Sequence, residues 1–143
     1  MRKLDAEQIR DSQVFKHYRV VRKWVVKNYG IRDSDLEILI FLDCLDLFKR
    51  HDFETNQLTY GWDKARWLRL KKDGWVDVWR QRNNTTRKYT IYKVSYKGRR
   101  MINRMYRILL GEEEMTYKFP QKRYSEKVLK NAVDATNKDL RKL

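Results

Sequence analysis

Tyr60–Leu110 reads as helix, sharp stop, strand, polar turn, strand and helix, an order that leaves few folds open. Trp62–Lys72 (WDKARWLRLKK) holds no Gly, Pro or β-branched residue and is rich in helix formers. Asp73-Gly74 ends it, because Gly accepts the left-handed conformation needed just past a helix. Trp75–Arg80 and Tyr89–Ser95 are rich in aromatic and β-branched residues, as paired strands require. Gln81–Lys88 between them is wholly polar, and Asn83-Asn84 tolerates the positive φ of a tight turn. Ser95 is placed to cap the final helix, on which Met101, Ile102, Met105, Ile108 and Leu109 share one face. The fold expected is α+β but mainly α: a winged helix-turn-helix with a two-stranded wing and with N- and C-terminal helices.

Charge concentrates on the same stretch. Gly61–Leu110 holds fifteen Lys/Arg and three Asp, a net +12 out of +15 for all 143 residues. A basic helix followed by a basic, polar-tipped hairpin is the electrostatic footprint of a nucleic-acid-binding surface. The longest apolar run, Ile38–Leu42, is far too short to cross a bilayer, so no membrane partner is expected. Met1–Asp11 is too polar for a secretory signal. A single cysteine forms no internal disulfide, which fits a cytoplasmic setting.

The flanking segments supply the rest of the core. A first helix is expected from Gln13 to Asn28, capped by Asp11 or Ser12 and stopped by Tyr29-Gly30. His17 beside its apolar stripe reads as a surface or interface residue. Ser34-Asp35-Leu36-Glu37 has the form of a capping box. The following residues, through Phe48, are apolar nearly all round, so this helix should be buried on most sides. Cys44 on it reads as a small buried hydrophobe. Arg50–Thr59 has room for one helical turn, with Phe53 and Leu58 as anchors. After Gly111 the trend turns acidic; Tyr117–Pro120 should be extended, and Ser125 should cap a helix to about Leu140.

In this order and spacing, Phe53–Leu58, Leu70–Val76 (LKKDGWV) and Val94–Arg100 (VSYKGRR) resemble the winged-helix regulators of the MarR type, most nearly those carried by bacteriophages. The resemblance runs from about Ser12 to Gly111, and implies a winged-helix domain over residues 12–111 followed by a tail, 112–143, that serves in dimerisation. Two features depart from the family: the link from Leu58 to the recognition helix is shorter by more than a turn, and only Arg87-Lys88 stands where an acidic residue and two arginines are usual. The family register turns Trp67 and Leu70 inward, with Trp62 read as core, and points Lys64, Arg66 and Arg69 toward a groove.

The residues expected at DNA are therefore Lys64, Arg66, Arg69 and Lys72 on the helix, and Arg80, Arg82, Asn84, Arg87 and Lys88 on the hairpin. Arg suits bidentate pairing with guanine, whereas Lys suits phosphates. In the family, terminal helices build the dimer, which makes Val14, Tyr18, Val21, Leu129, Val133 and Leu140 interface candidates. The same stripes equally suit a tail folded back on its own core. The reading is a double-stranded-DNA-binding transcriptional regulator acting as a homodimer. The alternative is a general nucleic-acid-binding protein of replication, packaging or the virion. Neither catalytic residues nor a metal or cofactor site is expected, since no phosphate loop, metal spacing or nucleophile set stands out.

Overall fold

The computed structural model describes residues 4–55, 64–83, 88–116 and 124–141. Along the chain these form α1 (Ala6–Ser12), α2 (Val14–Tyr29), α3 (Asp33–Leu45), β1 (Leu47–Phe48) and α4 (Arg50–Thr55). Then follow α5 (Lys64–Lys72), β2 (Val76–Asn83), β3 (Lys88–Val94), α6 (Tyr96–Leu109) and α7 (Tyr124–Leu140). The architecture is α+β and mainly helical, a winged helix whose antiparallel sheet has the order β1-β3-β2. Contacts divide the chain into two compact units, Met1–Gly30 with Asn103–Leu143, and Ile31–Ile102.

The sheet-bearing unit is built around α3 and the sheet. Leu36, Ile38, Leu39 and Leu42 of α3 are fully buried, as are Phe48 of β1 and Trp67 and Leu70 of α5. Three aromatic rings fix α5 to the sheet. Trp67 meets Tyr92 edge-on at 4.9 Å and Phe48 edge-on at 6.4 Å, while Phe48 stacks on Tyr92 at 6.3 Å. Such pairs contribute about 0.5–1.5 kcal/mol each beyond their burial. The helix ends as expected: Gly74 has φ +79, its N–H donates to Lys71 O, and Trp75 N–H donates to Leu70 O. Those two bonds satisfy carbonyls that α5 leaves open at its end. Ser95 caps α6 by accepting from Gly98 N–H at 3.0 Å.

The terminal unit packs α7 against α2, with α1 also touching α2. Val21, Trp24, Val25, Val133 and Leu140 are buried here, together with Met105, Ile108 and Leu109 of α6. Asn137 ties the segment after α6 to α7: its Oδ1 accepts from Met115 N–H at 3.0 Å and its Nδ2 donates to Met115 O at 2.9 Å. Trp24 Nε1 donates to Thr116 O at 2.8 Å. Glu113 accepts from Arg104 Nε at 2.7 Å and Arg107 Nε at 3.2 Å.

Several expectations are corrected. The helix expected from Gln13 to Asn28 forms as α2, but neither Asp11 nor Ser12 caps it: Gln13, at φ +57, is its N-cap without a side-chain bond, and a further helix, α1, precedes it. Ser12 instead donates from its hydroxyl to Ile9 O. The box at Ser34 does not form: α3 starts at Asp33 with Arg32 as its N-cap and no side-chain cap bond. That helix stops at Leu45, where Asp46 turns to φ +69, and Leu47–Phe48 pair with Lys93 and Tyr92 as a third strand. Cys44 is exposed rather than buried. His17 is buried rather than superficial, with Nε2 at 2.8 Å from Asp139 Oδ2. Ser125 lies inside α7, which begins at Tyr124. The expectations for Leu58, Trp62 and Tyr117–Pro120, and for the Phe53 side chain, lie outside the described residues.

Candidate nucleic-acid interface

Two elements of the sheet-bearing unit carry the candidate surface, α5 and the β2–β3 hairpin. Burial of Trp67 and Leu70 sets the rotation of α5 and leaves Ala65, Leu68 and Lys72 exposed. Their spacing of three and four residues forms one outward stripe. Lys64 is exposed at the start of the described helix, and Arg66 is half-buried on its flank. Leu68, at 50% exposure, is the residue that sequence reasoning overlooked. The signal was present: a residue next to Trp67 on a helix with Trp67 and Leu70 inward must turn away from them.

Arg69 is placed differently from expectation. Its Nε donates to Asp35 Oδ2 at 2.7 Å and its Nη2 to Asp35 Oδ1 at 2.9 Å, a two-pronged pair with a carboxylate on α3. Asp35 is only 3% exposed. The part-buried guanidinium is engaged by α3 and orients α5 on it, so a base-reading role does not follow from its geometry.

The hairpin begins in the sheet and runs beyond its cover. Val76 of β2 is buried, whereas every residue from Asp77 to Asn83 is exposed. The register runs Val76↔Val94, Asp77↔Lys93, Val78↔Tyr92, then Arg80↔Ile91, so Trp79 is an extra residue in β2. Such a bulge reverses which residues share a face. Beyond it Arg80 and Arg82 stand opposite Ile91 and Tyr89, while Gln81 and Asn83 stand opposite Thr90 and Lys88. Arg80, Arg82 and Lys88 are exposed. Asn84 and Arg87 lie outside the described residues.

Other cations nearby are held by the fold. Arg99 pairs with Asp43 at 3.4 Å and Asp46 at 3.3 Å. Lys97 donates to Asp73 O at 3.0 Å, with its Nζ 4.0 Å from the centre of the Trp75 ring. Lys71 lies over both Trp67 and Tyr92, at 5.9 and 5.6 Å. By contrast, among the described residues no carboxylate pairs with Lys64, Lys72, Arg80, Arg82 or Lys88. Among the described residues, the arrangement offers exposed positive charge that no carboxylate pairs, on one helix and one hairpin of the same unit.

The dimer candidates sit in the terminal unit. Val21, Val133 and Leu140 are buried within the chain itself, while Val14, Tyr18 and Leu129 are half-buried. The first three are covered by the chain's own packing, as the alternative of a tail folded back on its own core expects. No described helix is long and apolar enough to cross a membrane, and no group of His, Cys, Asp or Glu among the described residues is set to hold a metal ion.

No family model matches the chain, and no curated protein matches it. One similar solved structure is that of reduced AbfR bound to DNA, 21% identical, with a TM-score of 0.41. The likeness covers 96% of this chain and 99% of that one. It is too loose to place a residue or a role here.

Proposed function

We propose that the protein is a double-stranded-DNA-binding transcriptional regulator of the MarR-like winged-helix kind. The observation that carries this reading is the set of exposed cations Lys64, Lys72, Arg80, Arg82 and Lys88, none paired with a described carboxylate. In this account α5 enters a major groove, and the hairpin follows the backbone or the adjacent minor groove, where narrow, electronegative sites favour Arg. Arg66 is the side chain for a guanine edge; Ala65 and Leu68 suit thymine methyl groups. Lys64, Lys72, Arg80, Arg82 and Lys88, with Asn84 and Arg87 between the two strands in sequence, hold phosphates and sugars, and Arg69 positions the helix. The protein acts as a homodimer whose contact includes Val14, Tyr18 and Leu129 with the exposed Leu4, Ile9 and Phe15.

Footprinting over the DNA upstream of the protein's own gene is the test. Protection of a discrete site, in excess of competitor DNA, supports a regulator; uniform weak protection rejects it. Sedimentation of Phe15→Glu tests the assembly: the variant should shift from dimer to monomer, and a monomeric wild type rejects the homodimer.

A second reading has one observation in its favour. Arg69, expected to read bases, is engaged with Asp35, which leaves fewer groups for sequence recognition and many for the backbone. A general duplex-binding protein of replication, packaging or the virion would need only the latter. Uniform protection in the same footprint selects it.

A further inference from the structure

We propose that Trp79, the extra residue of the β2 bulge, is a contact for the face of a nucleobase. This inference rests on the reading of the hairpin as a nucleic-acid surface and adds a second, uncharged mode of recognition to it.

Large aromatic side chains are usually covered, and the other described tryptophans obey the rule: Trp24, Trp67 and Trp75 are 1%, 2% and 3% exposed. Trp79 is 45% exposed, and its neighbour Val78 is 51% exposed. The cause is local. Between Val78↔Tyr92 and Arg80↔Ile91 the strand holds one residue too many, so Trp79 has no cross-strand partner to pack on. A bulge of this kind re-aims a side chain without ending the ladder, and the ladder does continue, to Asn83↔Lys88.

The surroundings of Trp79 select its partner. The Arg80 guanidinium lies 5.3 Å from the centre of the indole ring. Arg82 and Lys88 are exposed further along the same hairpin, and Asp77 is the only acid in β2 or β3. A protein partner that covered Trp79 would have to desolvate these cations and supply acids to meet them. A nucleic acid brings both phosphates for the cations and a flat π-face for the indole. Alternation of aromatic and basic groups is how sequence-tolerant stacking surfaces are built. The base face can come from an unpaired nucleotide or from a step opened in a duplex. Opening a duplex step costs a few kcal/mol, so a duplex with an unpaired base should be bound more tightly than its fully paired counterpart.

The experiment uses the full chain as wild type, Trp79→Ala and Trp79→Phe. The ligands are a paired duplex, the same duplex with one unpaired base, and heparin, a polyanion without bases. Loss of a base–aromatic stack should weaken DNA binding about 5- to 150-fold. Trp79→Ala should show that loss on both DNAs, most strongly on the unpaired one, and little change on heparin. Trp79→Phe should recover most of it. Tryptophan emission should be quenched on DNA addition in the wild type, and that quenching should fall in Trp79→Phe even if the alanine variant fails to fold. Equal losses on heparin and DNA would overturn the inference, as would full affinity in both variants without quenching. A change in sedimented mass with no change in DNA affinity would assign Trp79 to a protein contact and overturn it too. If the wild type binds no DNA at all, the function proposed above falls as well, and the two failures are thereby told apart.

Discussion

Removal of the Arg69 side chain should cost the fold more than it costs recognition of sequence. Asp35 is nearly inaccessible, and its two oxygens accept the two Arg69 donors at 2.7 and 2.9 Å. Unit charges about 4 Å apart attract by about 4 kcal/mol at an effective dielectric of about 20. Desolvation costs several kcal/mol per ion, so the net worth of the intact pair is small. Breaking it is a different matter, because Arg69→Ala leaves a buried carboxylate without its partner, a loss of about 3–5 kcal/mol for buried pairs. The Arg69 side chain is 25% exposed, and the water admitted there screens part of that loss. The expectation is therefore about 3 kcal/mol, a sizeable fraction of a domain stability of about 5–15 kcal/mol. Urea unfolding of wild type, Arg69→Met, Asp35→Leu and the double variant measures it as a cycle. Each single variant should lose about 3 kcal/mol, and the double variant much less than the sum, because two apolar groups then replace two charges. Single variants within 0.5 kcal/mol of wild type, or strictly additive losses, would refute the reasoning.

Three further perturbations probe the packing. At Gly98 a Cβ would lie 2.8 Å from Val94 Cγ1 and 3.1 Å from Trp75 O, so Gly98→Ala should destabilise by about 1–3 kcal/mol in urea unfolding. Asn137→Ala strands the N–H and carbonyl of buried Met115, and should lose about 2–4 kcal/mol by the same measurement. Burial works to raise the Glu113 carboxyl, but hydrogen bonds from Arg107 and Arg104 outweigh it and hold the group below the ordinary glutamate range. A depressed folded-state value stabilises above the unfolded value of about 4.3 and is lost as pH falls through the folded value. Glu113→Gln should thus be less stable than wild type at neutral pH, with the gap closing on acidification; a gap constant down to about pH 3 would contradict the assignment.

The parts of the fold legible in the sequence were those specified within a few residues. Gly74 and Ser95 act locally, through positive φ and a hydroxyl cap, and both do so where expected. The apolar face of α6 follows from helical spacing alone, whereas the inward pair Trp67 and Leu70 came from the resemblance to the MarR type, since the apolar residues of that helix are spread around it. What was missed depends on distant residues or on conformations without a compositional mark. Gln13 and Asp46 break helices in left-handed geometry that favours Gly, and neither announces it. Leu47–Phe48 continue the apolar run of α3, and only pairing with Lys93 and Tyr92, more than forty residues on, makes them a strand. Exposure misled in the same way. Cys44 belongs to a type that is usually covered, and its place near a helix end exposes it. The candidate surface was legible as a charge, but the engagement of Arg69 with Asp35 was not, because that carboxylate is 34 residues away.

Salt dependence of duplex binding tests the central claim most directly. Each phosphate contact contributes a slope of about −0.9 to log K against log salt. Lys64, Lys72, Arg80, Arg82, Arg87 and Lys88 acting together thus predict about −5 per chain on random duplex. The double variant Arg82→Ala/Lys88→Ala should weaken binding on all sequences and make the slope shallower by about 2. Duplex binding with that slope, and with that loss in the variant, is the result expected. A wild type that does not bind duplex at low salt, or a slope that the variant leaves unchanged, would contradict the assignment of this surface to DNA.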